Sequence, residues 1–247
     1  GRPWDLDRND GGFRRIVPEE IDAVRTGGFA SGNADDLYRI RHQIADENAD
    51  VTVVLSADQV FTLDLRDVTL VGFSMGGAEI VRYVTRHGAA RVRRLVSIAP
   101  TTPLVMRRPD NPQGFDEAVL EDLHQAFQQD FPLWVEENAR PFVLPETSQA
   151  MVEWIKSMAL GTSLKAVLDC HRMLVREDFR EELKAIHLPV LVIQGDADIS
   201  SPIDLAGRPT ADLIPGARLA IYEGAPHGLF ITHRERLNRD LAAFAAS

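Results

Sequence analysis

Residues 68–77 read VTLVGFSMGG, and this stretch decides the fold. VTLVGF at 68–73 is a β-branched, apolar run of strand length, the pattern of a strand buried inside a sheet. From Gly76 to Arg86 the spacing becomes helical, carried by Ile80, Val81 and Val84. VRRLVSIA at 92–99 is a second strand, closed by Pro100. Strand, helix and strand in so short a span form a βαβ unit, whose right-handed crossover implies a parallel sheet. At the first junction lies Gly72-Phe73-Ser74-Met75-Gly76. A G-x-S-x-G pattern alone is weak: with glycine near 7% of residues, chance supplies one in under roughly a tenth of chains this long. Its setting gives it meaning. A strand ending at the serine and a helix starting after it demand a sharp turn. Glycines there remove Cβ atoms that would collide, and the serine is held in a strained conformation with its hydroxyl clear of the sheet edge. The Met75 N–H, at the start of the helix, is placed to stabilise an oxyanion. The competing interpretation is a glycine-rich turn around a buried serine.

Outward from this unit, the C-terminal part repeats the alternation. LPVLVIQG at 188–195 is a strand, Asp204 to Leu213 fits a helix, ARLAIYEG at 217–224 is a last strand, and His233 to Ala246 a terminal helix. Residues 101–188 lack strand runs and are helical in composition, broken by prolines at 103, 109, 112, 132, 141 and 145. They also concentrate aromatics: Phe115, Phe127, Phe131, Trp134, Phe142 and Trp154. These either form the segment's own small core or line an apolar pocket. Before residue 50 the periodicity is weak; 19–24 and 34–46 could be helices, and VTVVL at 51–55 a strand. A chain of 247 residues is near the upper size for one core. The expected architecture is therefore an α/β-hydrolase fold, a mostly parallel sheet flanked by helices. Its core would comprise 1–100 and 189–247, with a helical cap, 101–188, inserted before the last two strands.

Composition narrows the partners. Hydrophobic residues make up 45% and the formal net charge is −10, so the surface repels phosphate backbones and anionic lipid and argues against nucleic-acid or membrane binding. The single cysteine, Cys170, can form neither an intrachain disulfide nor a multi-cysteine metal site. No metal or other cofactor is expected. The opening GRPWDLDRNDGG lacks the apolar run of a signal peptide, and no stretch approaches a membrane span; the default expectation is a cytoplasmic protein.

A serine needs a base to act as a nucleophile. In this fold the order along the chain is Ser, acid, His. His227, in GAPHG at 224–228, follows the last strand, where a loop can fold over the edge that carries Ser74. His42, His87, His124 and His171 lie on expected helices, His187 precedes a strand and His233 opens the last helix, all poorer positions. The acid should follow the preceding strand, where Asp196 and Asp198 are offered. Asp198 is further out and is the favoured acid, fixing the imidazole tautomer; Asp196 is expected to brace its own loop turn.

The residues GFSMGGAEIVRYVTRHG at 72–88 resemble the elbow and following helix of the cofactor-free bacterial haloperoxidases, also described as non-haem chloroperoxidases, arylesterases and perhydrolases. LPVLVIQGDADISSP and IPGARLAIYEGAPHGLFITHRERLNRDLAAF are similar too, as is the stretch from Trp154 through Cys170 to EDFREEL at 177–183, so the resemblance covers roughly residues 65–246. It implies a triad of Ser74, His227 and Asp198. It implies hydrolysis of small esters or lactones through an acyl-serine. It further implies a side reaction in which hydrogen peroxide replaces water and the resulting peracid oxidises halide, and it implies a homo-oligomer. The family's early His-Gly motif, which supplies the second oxyanion donor, and its Asp-x-Arg-Gly-x-Gly-x-Ser stretch are absent from 1–66. The nearest glycine-rich loops are Gly11-Gly12-Phe13 and Thr26-Gly27-Gly28-Phe29, so the sequence leaves the second donor unknown, with the Phe29 N–H as a candidate. Two alternatives stay open. The same triad could cleave another bond (carbon–carbon, amide or a signalling lactone), or the chain could be a hydrolase-like binding protein impaired by an incomplete oxyanion hole.

Overall fold

The structure, a computed structural model, describes residues 66–247. The helices expected at 19–24 and 34–46 and the strand at 51–55 lie outside the described residues. In chain order the elements are β1 (Val68–Phe73), α1 (Met75–His87), β2 (Val92–Ile98), α2 (Glu117–Ala139), α3 (Gln149–Leu160), α4 (Leu164–Arg176), α5 (Arg180–Lys184), β3 (Val190–Gly195), α6 (Gly207–Leu213), β4 (Arg218–Tyr222), α7 (Leu229–Thr232) and α8 (Arg234–Ala246). The described strands form one sheet in the order β1-β2-β3-β4. All pairs are parallel, with Phe73 opposite Ile98, Ile98 opposite Ile193 and Gly195 opposite Tyr222. This register aligns the C-terminal ends of β1, β3 and β4 on one edge, so loops leaving them emerge side by side.

Both faces of the sheet are covered, which is why its strands read as apolar runs rather than alternations. Leu70, Leu95, Val190 and Val192 point to one face, against Ile80, Val81 and Val84 of α1 and Ala211 of α6. Val71, Val96, Ile98, Leu191 and Ile193 point to the other, against Leu237 and Phe244 of α8. Phe179, Leu183 and Ile186, in and around α5, pack into the first of these layers. Arg82 fastens α1 to that region: its guanidinium reaches Glu182 at 2.8 and 3.0 Å and Glu177 at 2.8 Å, and lies 4.3 Å from the Phe179 ring centre.

Between β2 and β3, helices α3 and α4 both pack on α2. α2 is kinked where Asp130 leaves helical geometry (φ −155°, ψ 76°) two residues before Pro132. The Asp130 carboxylate then accepts the Leu133 N–H at 2.9 Å, capping the second half. Two expected boundaries shift. The helix expected from Asp204 begins at Gly207, because Ala206 takes a non-helical conformation after the turn from Pro202. The terminal helix is preceded by the separate turn α7.

A Cβ added to Gly72 would lie 2.2 Å from the Gly76 oxygen and 2.4 Å from its carbon. Backbone cannot yield there, so Gly72→Ala is expected to cost about 3 kcal/mol of stability by chemical denaturation. Gly76→Ala, with no described atom within 4 Å of the added carbon, should cost clearly less.

Candidate active site

The site begins with the backbone of Ser74. Its φ of 53° and ψ of −119° place a non-glycine residue in a region that L-residues avoid. Two bonds hold the turn: the Ser74 N–H donates to the Ile98 carbonyl at 2.8 Å, extending the ladder, and the Gly77 N–H donates to the Ser74 carbonyl at 3.0 Å. The close approaches that demand glycine fall at Gly72 and at Gly77, whose added Cβ would sit 2.6 Å from Ser97 Oγ. Met75 is the first residue of α1, so its N–H has no acceptor within the helix. Phe13 and Phe29 lie outside the described residues.

His227 follows β4 and bridges the two other groups. Its Nε2 is 3.0 Å from Ser74 Oγ and its Nδ1 is 2.7 Å from Asp198 Oδ2. A carboxylate only accepts, so the proton belongs on Nδ1 and Nε2 is left to accept from the serine hydroxyl. The Asp198 side chain is fully enclosed. Its Oδ1 accepts the backbone N–H groups of Ser200 at 2.9 Å and Ser201 at 2.8 Å, and its Oδ2 accepts Gln194 Nε2 at 2.7 Å. The structure therefore brings Ser74, Asp198 and His227 together from three separate strand ends. Asp196 differs from expectation. Its Oδ1 accepts the Gly224 N–H at 2.6 Å, so it ties the loop after β3 to the loop that carries His227, because the register sets those loops side by side. The Gly228 N–H donates to the Phe142 carbonyl at 2.8 Å, fastening the other flank of the histidine loop to the helical segment.

Gln194 was not singled out from sequence. The signal was present: it is the lone amide in an otherwise apolar strand, and a buried amide there must find partners. Of the other histidines, His233 bonds the Thr232 hydroxyl at 2.8 Å. His124 and His171 face one another across α2 and α4, with their Nδ1 atoms 3.3 Å apart. Among the described residues no cluster of three or more His, Cys, Asp or Glu side chains could hold a metal ion, and no helix is long and apolar enough to cross a membrane.

Ser74 and His227 open into a cavity of about 680 Å³ between the sheet edge and helices α2 to α4, within the range of small-ligand sites. Trp134, Phe142 and Leu174 are among its walls, and no Asp, Glu, Lys or Arg lines it among the described residues. The aromatics of 101–188 divide between both expected roles. Phe115, Trp134 and Phe142 line the cavity, Phe127 is buried against Trp134, and Trp154 is exposed.

A family model for the α/β hydrolase fold matches residues 55–234. A non-haem chloroperoxidase of Kitasatospora aureofaciens is 35% identical over 194 residues, covering 76% of this chain and 70% of the relative. A bifunctional esterase/perhydrolase of Acinetobacter calcoaceticus is 31% identical, covering 96% of this chain and 83% of the relative. That span reaches well before residue 65, further than the resemblance expected from sequence. The crystal structure of a bromoperoxidase from Bacillus anthracis superposes with a TM-score of 0.73 at 32% identity, covering 76% of this chain and 71% of that one. The chain belongs to the α/β-hydrolase fold family, in its branch of non-haem haloperoxidases and perhydrolases.

Two measurements test the site's construction. Ser74→Gly relieves the positive φ that Ser74→Ala retains, so the glycine variant should be the more stable of the two by about 1 kcal/mol in denaturant unfolding. Burial first, and His124 second, push His171 below its ordinary 6.5. A depressed histidine contributes stability that is complete above its unfolded value and is lost as pH falls through the folded one. The urea midpoint should therefore fall between pH 7.5 and 5.5, and fall less in His171→Asn.

Proposed function

We propose that this protein is a serine hydrolase of carboxylic esters or lactones that works through an acyl-serine, with perhydrolysis as a side activity. The single observation that carries this is His227 bridging Ser74 Oγ and Asp198 Oδ2 beneath an apolar cavity. The esterase/perhydrolase and chloroperoxidase names of its relatives support the same chemistry.

In this mechanism Ser74 Oγ bonds to the carbonyl carbon while its proton passes to His227 Nε2. The carbonyl π pair moves onto oxygen, where the Met75 N–H donates to it. Asp198 steadies the imidazolium through Nδ1–H without taking the proton. The tetrahedral species collapses, the alcohol leaves with the proton from Nε2, and the acyl-serine remains. Water then adds to the acyl carbon, giving its proton to His227. Ser74 Oγ departs, recovers that proton, and the carboxylic acid is released. If hydrogen peroxide adds in place of water, the product is a peracid. The peracid passes an oxygen atom to halide in solution, giving hypohalous acid and leaving the carboxylate, so halide oxidation needs no group bound to the protein. Among the described residues the lining holds no Asp, Glu, Lys or Arg, which favours neutral substrates with an apolar acyl or alcohol portion, since a carboxylate placed beside those walls would lose hydration without a partner.

A fluorophosphonate should label Ser74, and Ser74→Ala should lower kcat on p-nitrophenyl acetate by about 10³-fold or more. Bromide oxidation should require both hydrogen peroxide and an ester such as ethyl acetate as acyl donor, and should vanish in the same variant. Turnover unchanged by Ser74→Ala would sink the proposal.

A further inference from the structure

Gln194 is the penultimate residue of β3 and is fully buried. Its Nε2 donates to Asp198 Oδ2 at 2.7 Å and to the Ser201 carbonyl at 3.1 Å. Both of those atoms can only accept, so the amide has one workable orientation, with NH₂ facing both and Oε1 turned away. Oε1 then has no hydrogen-bond partner among the described residues. A strand chosen for packing alone would place an aliphatic side chain here and avoid a buried, unsatisfied acceptor.

The surroundings are shaped to admit the amide. A Cβ on Gly207 would lie 2.8 Å from Gln194 Cβ and 3.0 Å from its Oε1, so the first turn of α6 is bare where the glutamine lies. From this place Gln194 spans the turn that presents the acid: it holds Asp198 at one end and Ser201 at the other. Moreover, the oxygen to which it donates is the same Oδ2 that accepts His227 Nδ1–H. The two donors therefore compete for electron density on one atom.

We infer that Gln194 is a positioning residue for the hydrolytic reaction, acting through Asp198: it fixes the rotation of the carboxylate and moderates the basicity of the oxygen facing His227. The inference rests on the serine-hydrolase assignment above. When Ser74 transfers its proton, the Nδ1 proton must stay on the imidazole rather than cross to the carboxylate. A second donor on Oδ2 lowers that oxygen's proton affinity and keeps the proton on nitrogen. Among the described residues the titratable groups in this network are Asp198 and His227.

Two variants test it. Gln194→Met keeps the length and removes both donors. Its kcat on p-nitrophenyl acetate should fall about tenfold to a hundredfold, the scale of a misoriented catalytic group, with KM changed less than twofold. The acidic limb of its pH profile should move to higher pH, because Oδ2 becomes more basic and favours the imidazolium while the Ser200 and Ser201 N–H groups still hold Asp198 near the ring. Gln194→Glu keeps the shape. Beside Asp198 its carboxyl retains a proton towards neutral pH and can donate to Oδ2. This variant should therefore recover most of the lost kcat at the acidic end of the range and lose it through an alkaline limb that the wild type lacks. A kcat within twofold of wild type or an acidic limb unmoved or lowered in Gln194→Met overturns the inference, as does a wild-type alkaline profile in Gln194→Glu. The glutamate variant decides if the methionine variant does not fold. Absence of esterase turnover in the wild-type protein would instead count against the hydrolase assignment. The downfield proton resonance of His227 Nδ1–H then decides for Gln194: a shifted resonance in Gln194→Met supports it, and an unchanged one overturns it.

Discussion

Ser74 turns the chain from β1 into α1 with a φ of 53°, a conformation that costs of order 1–3 kcal/mol in a residue with a side chain. It persists because its surroundings allow no relaxed alternative. The strand before it is laddered to β2 through the Ser74 N–H itself. The helix after it is pressed to the sheet by Ile80, Val81 and Val84. Gly72 and Gly77 let the two elements approach within distances that a Cβ would forbid. Relaxing the serine would mean lifting α1 off the core, and burial of that apolar face is worth several kcal/mol. The fold's main cohesive energy thus holds the proposed nucleophile in place.

Parallel register does the rest of the assembly. Because β1, β3 and β4 end level with one another, their following loops share one edge, and Ser74, Asp198 and His227 meet there although they are far apart in sequence. Secondary ties then stiffen the arrangement. Asp196 pins the Gly224 N–H, Gln194 spans Asp198 and Ser201, and the Phe142 carbonyl holds Gly228. Each ties one segment of the site to another. Helices α2 to α4 face this edge with apolar side chains, and among the described residues the cavity's polar lining includes Ser74, His227 and a few neutral groups.

Much of this was legible in the chain itself. Buried parallel strands must be apolar on both faces, so β1, β2 and β3 stand out as short runs of β-branched residues. The elbow stands out because few residues other than glycine survive so tight a junction. His227 and Asp198 were reachable through chain order and strand ends. The kink at Asp130 was legible only as a proline at 132, and the start of α6 at Gly207 was not legible at all, because it depends on the non-helical conformation of Ala206 after the turn from Pro202. The facing pair His124 and His171 could not be read either, since it depends on how α2 crosses α4.

By itself, therefore, the sequence determined the βαβ unit, the place of the proposed nucleophile and the candidates for its base and acid, since these follow from local periodicity, steric limits and chain order. Only the tertiary structure decided that Asp196 braces the neighbouring loop rather than its own. It alone set Gln194 on the carboxylate oxygen that faces His227, and let Trp134 and Phe142 line a cavity while Phe127 packs beside it. The physical reason is common to all three. Hydrogen bonding and burial act over a few ångströms between segments tens of residues apart, and that proximity exists only once the register of the sheet and the crossing of the helices are established.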